Sequence, residues 1–337
     1  MIASQISRRT VLRTMAVGGL ALAAPRLARA TDAAPVRIAN ASGAITLTMT
    51  ELMKRKQFME EMGLTPEVMN LADGSKITAG IISGNLDLTT MSGFGQTFAA
   101  MERGGDLKVL GGAAELATLG VFTTKPDVRT LKDLEGRTVG TGAIGALLHQ
   151  LMVALLEKYQ VDTSKVRFVN IGSSVNAFKA ATVGTVDAAP GELAVLEEPD
   201  RFKVTMLEHG NMALELPDYT YQGAYSSANI IGKKRDVLVR TMAAYAKLYR
   251  FVQTPEAKDE FLAVRRALYP NAPEQENVAQ WAVIQKYKPF AVNLTLSQQR
   301  LDYMQKLNVE LGVQKTVLPY STVSDMSIAQ DALAMIG

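Results

Sequence analysis

The sequence predicts an α/β protein built from two lobes, and three observations support this. Short apolar runs of strand length alternate with segments of helical period. Parallel strands need crossovers of this kind, so mainly parallel sheets are expected. The alternation breaks at Lys125-Pro126-Asp127 and then begins again, and roughly 300 residues exceed what one hydrophobic core usually organises.

The elements follow from these patterns in chain order. The first series is predicted to contain strands at 36–39, 67–71, 86–91, 107–111 and 120–124, with helices at 45–58, 74–83 and 95–103. The second series is predicted to contain strands at 138–140, 166–171, 186–189 and 203–207, with helices at 146–159 and 175–183. A strand at 227–231 then precedes a helical C-terminal extension, with helices at 235–253, 255–268, 273–287 and 297–311.

The stretch 209–225 is polar and aromatic and lacks a helical period, so it is interpreted as a second crossing between the lobes. The predicted organisation is a signal peptide at 1–30, the first part of lobe 1 at 31–125, lobe 2 at 126–215, and a return to lobe 1 with C-terminal helices at 216–337. Two crossings would form a hinge. Ligands in such folds bind at the carboxyl ends of strands, beside helix N-termini.

The first thirty residues have the features of an export signal. Arg8-Arg9 precede an apolar run at 15–24, which is shorter than the roughly 20 residues that a membrane span needs. Ala28-Arg29-Ala30 supplies a cleavage pattern, and paired arginines indicate the twin-arginine route. The alternative is an Arg-rich tail before a membrane anchor. The sequence therefore predicts a periplasmic protein.

Composition excludes several classes of function. The precursor has 36 basic and 33 acidic side chains, but five arginines lie within residues 1–30, which leaves 31 and 33. A nucleic-acid partner is not expected, because such binding needs a clustered positive surface. The chain has no cysteine and only two histidines, so a transition-metal site is not expected and no metal ligand is assigned, while carboxylate sites for hard cations stay open.

Gly140-Thr141-Gly142-Ala143-Ile144-Gly145 matches a dinucleotide-binding pattern, after a strand and before a helix. That pattern also requires an acid at the end of the next strand, where this chain has Asn170-Ile171-Gly172. No nicotinamide, flavin or other cofactor is therefore predicted. The alternative interpretation is a helix start whose free N–H groups face a ligand.

Other strand-to-helix junctions repeat small polar residues, at 40–43, 73–75, 92–95 and 172–174. Each could be an ordinary N-cap or a ligand contact. Tyr219, Tyr221 and Tyr225 cluster in the second crossing, as ligand contacts or as hinge packing. Phe94 is a candidate for stacking on a ligand. No catalytic motif occurs, so an enzyme is not predicted and no catalytic residue is assigned.

The segments 84–88 and 100–109 resemble the first lobe of a known family, the periplasmic solute-binding proteins of nitrate/sulfonate/taurine-type ABC importers. That group includes pyrimidine-binding proteins similar to thiamine-precursor synthases. The runs 131–140 and 180–189 resemble the second lobe of the same family. The resemblance covers residues 36–255 and implies a two-lobed type II periplasmic binding protein fold.

The resemblance also implies a ligand in the cleft between the lobes. The residues expected to line the cleft are Ser42, Ser92, Phe94, Gly142, Ile144, Gly145, Ser173, Ser174, Glu192 and Tyr221. Many relatives carry hydroxyl side chains where this chain has Gly145-Ala146-Leu147-Leu148-His149. That departure favours a larger organic ligand, heterocyclic or aromatic, over a small anion. The cysteine-rich motif of the pyrimidine synthases is missing from this cysteine-free chain, so that enzyme does not fit.

The expected function is the periplasmic capture of a small organic solute, by hinge closure, for an ABC permease of the inner membrane. A monomer is implied by the resemblance. Two alternatives stay open: a sensory subunit that presents its ligand to a membrane kinase, and a cofactor-dependent periplasmic enzyme.

Overall fold

The computed structural model describes residues 33–72 and 74–337. The predicted signal peptide at 1–30, and Asp73 of the junction at 73–75, lie outside the described residues. The strands are β1 (Ala34–Ala41), β2 (Leu64–Leu71), β3 (Thr89–Ser92), β4 (Lys108–Ala114), β5 (Leu119–Thr123), β6 (Thr138–Thr141), β7 (Arg167–Asn170), β8 (Ala188–Glu192), β9 (Thr205–Asn211) and β10 (Gln222–Ser226).

The helices of the N-terminal half are α1 (Ala44–Lys56), α2 (Phe58–Glu61), α3 (Gly74–Ile82), α4 (Gly95–Glu102), α5 (Leu147–Lys158) and α6 (Ser174–Thr182). Those of the C-terminal half are α7 (Pro199–Phe202), α8 (Met212–Glu215), α9 (Ala228–Val252), α10 (Lys258–Leu268), α11 (Glu274–Tyr287), α12 (Gln298–Glu310), α13 (Tyr320–Val323) and α14 (Ser327–Ile336). The α/β class and the helical C-terminal extension are confirmed.

The strands form two layers with the same order. In the first layer β1 pairs with β2, and β10 lies between β3 and β4. A parallel bridge between Ile38 and Leu88 places β1 beside the start of β3, which gives the order β2-β1-β3-β10-β4. The second layer has the order β7-β6-β8-β5-β9. Each layer is thus a series of βα units with one strand inserted from elsewhere in the chain.

The inserted strands run against their neighbours. The pairs β1–β2, β6–β7 and β6–β8 are parallel, as expected, whereas β10 is antiparallel to β3 and β4, and β5 is antiparallel to β8 and β9. Each inserted strand follows a passage of the chain from one layer to the other, at 115–118 and at 212–221. Strand β5 therefore pairs in the second layer although it precedes residue 126.

The predicted strand at 227–231 is wrong, because these residues begin helix α9. The backbone N–H of Ile230 donates to Oγ of Ser227 at 3.2 Å, so Ser227 caps the helix and the two isoleucines that follow lie in its first turn. The strand lies just before, at Gln222–Ser226, within the stretch interpreted as a crossing.

A buried carboxylate ties helix α9 to the first layer. Asp87 is 1% exposed and accepts from the backbone N–H of Arg37 at 2.9 Å and from the Arg37 guanidinium at 3.0 Å. Lys234 Nζ lies 3.0 Å from both of its carboxylate oxygens. Helix α9 is kinked at Lys234, where φ is −131°. These contacts fix the long helix against the middle of β1, at Arg37.

Two large apolar clusters hold the layers. One packs β1 and β4 against α9, and α14 lies on the same helix, with Ile38, Leu110, Tyr245 and Ile328 fully buried. The other extends from Phe98 of α4 through Val121 of β5 to Leu155 of α5, so it contains side chains from both layers. The layers therefore share a core as well as the two chain passages.

Candidate ligand-binding site

A cavity of about 100 Å³ lies where the starts of five helices meet. Helices α1, α3 and α4 come from the first layer, and α5 and α6 come from the second. Each of these five helices follows a strand of its own layer, so their N-termini collect at the carboxyl ends of the strands. The lining residues are Ala41, Ser42, Gly43, Ala72, Gly74, Ser92, Gly93, Gly95, Gln96, Gly142, Ala146, Leu147, Leu148, Gly172, Ser173, Ser174, Tyr221 and Gln222.

The helix starts at this cavity supply hydrogen-bond donors. The first N–H groups of a helix have no partner within the helix and carry partial positive charge. The N-cap residues Gly43, Phe94 and Ala146 make no side-chain hydrogen bond to their helices. Among the four of these helix starts whose N-cap the structure describes, only α6 has a cap side chain, that of Ser173, which accepts from a helix N–H, that of Asn176 at 3.3 Å. The cavity therefore suits a ligand with acceptor atoms.

The side chain of Asn40 holds the end of β3, which leads into the cavity wall on the first-layer side. Its Oδ1 accepts from the backbone N–H groups of Thr90 and Met91, both at 2.9 Å, and its Nδ2 donates to the hydroxyl of Tyr245 at 3.2 Å. Asn40 is fully buried and lies at the end of β1. It therefore fixes the end of β3, and with it the position of Ser92 in the cavity wall.

A second buried amide joins the helices of the two layers behind the cavity. Asn308 of α12 donates to the carbonyl oxygen of Gly95 at 2.7 Å and accepts from Nε2 of Gln150, which belongs to α5. A Cβ at Gly95 would lie 2.0 Å from Oε1 of Gln150, so only glycine allows this approach. Helices α4, α5 and α12 are thereby held together by fully buried polar contacts.

Six of the ten residues proposed from the sequence are brought together at this cavity: Ser42, Ser92, Gly142, Ser173, Ser174 and Tyr221. Tyr221 lies just before β10. Burial raises the pKa of its phenol, so the hydroxyl stays protonated and can donate to a ligand.

Phe94 is not among the lining residues. It is fully buried and packs edge-to-face on Phe98, with ring centroids 5.6 Å apart. A Cβ at Gly223 would lie 2.8 Å from its ring, so the ring rests directly on the backbone of β10. The aromatic side chain therefore supports the sheet behind the cavity wall.

Ile144 and Gly145 point to a different surface. Ile144 is 75% exposed, and both residues border an open depression with Gly312 and Val313. Gly145 has a φ of +76°, and the chain returns to the cavity at Ala146, the N-cap of α5. The backbone N–H of Gly145 donates to Nδ1 of His149 at 3.2 Å, and burial lowers the pKa of that histidine.

Glu192 ends β8 and borders a neighbouring pocket instead of this cavity. Burial raises the pKa of its carboxyl to about 7, opposed in part by the positive charge of Arg265. Two polar lining residues were missed: Gln222, whose strand was interpreted as a crossing, and Gln96 at the start of α4. Oγ1 of Thr46 accepts from Nε2 of Gln222 at 3.3 Å.

Within residues 33–72 and 74–337, no group of three or more His, Asp or Glu side chains is placed to hold a metal ion. Over the same residues, no helix is both long and apolar enough to cross a membrane.

Comparisons with known proteins identify the family and the fold of the chain. Residues 51–257 match the family model described as NMT1/THI5 like. No curated protein matches the chain significantly. Among solved structures, the alkanesulfonate-binding protein SsuA from Xanthomonas axonopodis pv. citri bound to MOPS has a TM-score of 0.69 at 17% identity, over 86% of this chain and 98% of that chain.

Two further structures are similar. The periplasmic aliphatic sulphonate binding protein SsuA from Escherichia coli has a TM-score of 0.69 at 15% identity, over 86% of this chain and 92% of that chain. The desulfurization enzyme DSZB has a TM-score of 0.62 at 14% identity, over 90% and 99%. These similarities confirm the periplasmic binding protein fold. Since the family match spans more than half of the chain, the chain belongs to the NMT1/THI5-like family, in agreement with the resemblance found in its sequence.

Proposed function

We propose that the protein is the periplasmic solute-binding component of an ABC importer, and that it captures a small organic solute in the cavity between its two layers. The observation that carries the proposal is the meeting of five helix N-termini, three from one layer and two from the other, around one cavity. A ligand there contacts both layers at once.

Capture follows from this geometry. We assign the first layer with the C-terminal helices to one lobe and the second layer to the other, with the passages at 115–118 and 212–221 as the hinge. A solute that bridges the lobes interacts better with the closed state than with the open one, so it shifts the population toward closure. The permease then recognises the closed form. We propose contacts from Ser42, Ser92, Ser173 and Ser174, with backbone N–H groups of the helix starts.

The cavity chemistry favours binding over catalysis. Tyr221 is the sole titratable side chain among the described lining residues, and burial raises its pKa. General acid–base catalysis needs a group whose pKa lies near the working pH, and such a group, Glu192, borders the neighbouring pocket and not this cavity. We therefore propose a binding protein. Its action as a monomer in the periplasm is proposed from the family resemblance. Export through the paired arginines Arg8 and Arg9 is part of the same proposal.

A cavity-filling variant tests the site. Gly43 has φ −73° and ψ 156°, and a Cβ there meets only Oγ1 of Thr46, at 3.8 Å. Gly43→Leu should therefore fold and fill the cavity. Gly232→Leu is the matched control, because Gly232 has open space around it in α9.

The measurement is a thermal-shift panel of sulfonates, nitrate, amino acids, pyrimidines, thiamine precursors and aromatic acids, followed by small-angle scattering with each hit. A ligand at 100 times its dissociation constant should stabilise the protein by about 2.7 kcal/mol. That corresponds to a Tm increase of about 5 °C. The hit should compact the wild type and Gly232→Leu but not Gly43→Leu. Binding without compaction, or binding unchanged in Gly43→Leu, would contradict the proposal.

A further inference from the structure

A second pocket of about 360 Å³ adjoins the cavity, and Ser174 borders both. It lies between α6 with the segment that follows β8 on one side, and α10 with α11 on the other. We call it the Arg265 pocket. Its lining residues are Ala44, Ser174, Val175, Phe178, Lys179, Thr182, Glu192, Ala194, Val195, Glu198, Phe202, Arg265, Tyr269, Glu276 and Gln280.

One wall of the Arg265 pocket is aromatic. Phe178 meets Phe202 edge-to-face with ring centroids 5.5 Å apart, and it meets Phe122 in the same way at 5.6 Å. Phe122 is fully buried, so these rings are anchored to β5. Aromatic rings favour such edge-to-face neighbours. The volume lies within the range of small-molecule sites, roughly 300–1,000 Å³.

Another part of the pocket lining is a buried guanidinium with a free donor. Arg265 is 3% exposed; its Nε donates to Oδ1 of Asn277 at 3.2 Å, and its guanidinium lies 4.4 Å from the ring centroid of Tyr269. Its Nη2 lies 3.7 Å from the Glu276 carboxylate. Its Nη1 is buried and has no acceptor among the described residues.

A second unpartnered donor belongs to the same pocket. Gln280 of α11 is 2% exposed, and its Nε2 has no acceptor within the described part of the chain. Buried donors without partners are rare, because each one costs roughly 1–3 kcal/mol of desolvation. Two of them on one pocket indicate that an acceptor group from a ligand completes the site.

Three carboxylates line the pocket beside Arg265. Glu276 and Glu198 have Arg201 as another partner, and burial raises the pKa of Glu192 to about 7, which weakens its negative charge. The Glu276 carboxylate interacts with two arginines, Arg265 and Arg201, because its other oxygen lies 3.0 Å from Nη1 of Arg201. Glu198 also pairs with Arg201, at 2.8 Å. Hydrogen bonds from a guanidinium to a carboxylate are about twice as strong as neutral ones. An acidic group fits this part of the pocket better than a neutral carbonyl.

We propose that the Arg265 pocket binds an aromatic carboxylic acid, with its ring against Phe178 and Phe202 and its carboxylate accepting from Nη1 of Arg265 and Nε2 of Gln280. This inference rests on the proposed function and names its solute class. The ring of the ligand reaches the cavity at Ser174, which borders both the cavity and the Arg265 pocket. A polar substituent on the ring enters the cavity and meets the helix N-termini.

Gln280→Met tests the acid contact. Methionine keeps the size of the side chain and removes the amide donor. Gln285→Met on the same helix is the matched control, because Nε2 of Gln285 already donates to the carbonyl oxygen of Val252 at 3.0 Å, outside the pocket. Calorimetric titrations of the exported protein with benzoate, 4-hydroxybenzoate, 4-hydroxybenzamide and acetate supply the affinities.

We expect both aromatic acids to bind, and the amide and acetate to bind at least tenfold more weakly. Gln280→Met should weaken the binding of the acids by about 10- to 100-fold, the range for a hydrogen bond to a charged group. Gln285→Met should leave that affinity unchanged. Equal affinity for acid and amide in the wild type would overturn the inference even if Gln280→Met failed to fold. Loss of binding in both variants, or in neither, would overturn it as well.

Gly43→Leu separates this inference from the proposed function. A solute of another class that is lost in Gly43→Leu and unaffected by Gln280→Met would leave the importer proposal standing and overturn the aromatic-acid site. Acids that depend on Gln280 but neither compact the protein nor respond to Gly43→Leu would confirm the pocket and contradict its role in capture.

Discussion

Asp87 is a buried carboxylate of the first layer that contacts two cations, Arg37 and Lys234. Burial by itself raises the pKa of this carboxyl, but the hydrogen bonds from Arg37 and Lys234 outweigh it and hold the pKa below its usual value. Asp87→Asn should reduce the free energy of unfolding by about 1–3 kcal/mol at pH 7, because Arg37 and Lys234 lose the negative charge between them and one of its two acceptor oxygens becomes a donor amide. Urea unfolding measures this loss.

The loss of stability in Asp87→Asn should depend on pH. A carboxyl with a lowered folded-state pKa stabilises the protein above the unfolded pKa, near 4, and this contribution is lost as the pH falls through the folded value. The difference between wild type and Asp87→Asn should therefore shrink below about pH 4. Asp236→Asn, whose exposed carboxylate pairs with Arg240 on the surface, should change stability very little. A pH-independent difference for Asp87→Asn would contradict this account.

Glu192 should affect the pH dependence of stability in the opposite direction to Asp87. Its folded pKa of about 7 lies above the value of 4.5 for a free glutamate, so the folded state holds the proton more tightly. Stability should fall as the pH rises between these two values, by about 1.4 kcal/mol for each unit of pKa difference. Glu192→Gln should lack this decline. Parallel stability curves for the two proteins from pH 4.5 to 7.5 would show that Glu192 is not responsible.

Residue positions near helix starts were predictable as a class but not one by one. Ser42, Ser92, Ser173 and Ser174 follow from their place after strands, and all four line the cavity. The same argument placed Phe94 there, yet its ring is fully buried. Sequence position fixes where a loop lies, but the direction of one side chain depends on neighbours such as Gly223 that come from distant strands.

At the scale of elements, the contact of α4 with α5 depends on the missing side chain of Gly95. Gln150 is 1% exposed and bonded to Asn308, so it cannot move aside for a methyl group. Gly95→Ala should destabilise the protein by about 1–3 kcal/mol through overpacking. Gly43→Ala, at the start of α1, is the control, since its new Cβ would meet no atom closer than 3.8 Å. Equal stability of the two variants in thermal unfolding would refute the close approach.

Most elements follow from periodicity, and the misassigned region shows its limit. Gln222–Ser226 has a glycine, polar side chains and a tyrosine, and it is a fully buried strand between two others. Ser227-Ala228-Asn229-Ile230-Ile231 ends in two β-branched residues and is helical. Ser227 decides in favour of the helix, because as an N-cap it accepts a hydrogen bond from the N–H of Ile230. The sequence alone shows the serine but not this hydrogen bond. The sequence did not indicate Arg265 and Gln280 as site residues, because they lie on helices that carry no binding or catalytic motif.

At the scale of the whole molecule, closure predicts a change in distance between the walls of the cavity. Lys76 of α3 and Asn176 of α6 are exposed near the starts of their helices, on opposite layers. The chain has no cysteine, so Lys76→Cys with Asn176→Cys gives two unique labelling sites. The spin–spin distance should shorten when a solute binds. The pair Asn176→Cys with Val183→Cys, both at α6, should not change. A solute that binds tightly and leaves the first distance unaltered would argue against hinge closure.

The inserted strand β10 has a consequence for how the chain folds. It pairs with β3 and β4, which precede it by more than a hundred residues, whereas β5 to β9 form a continuous stretch of sequence. Long-range strand pairing is slow, because the entropy of closing a long loop must be lost before the contacts form. The second layer can therefore organise as soon as residue 211 is available, but the first cannot be completed until residue 226 arrives. A chain stopped between these two points would present an incomplete sheet edge at β3 and β4, which is the surface that a chaperone would have to cover.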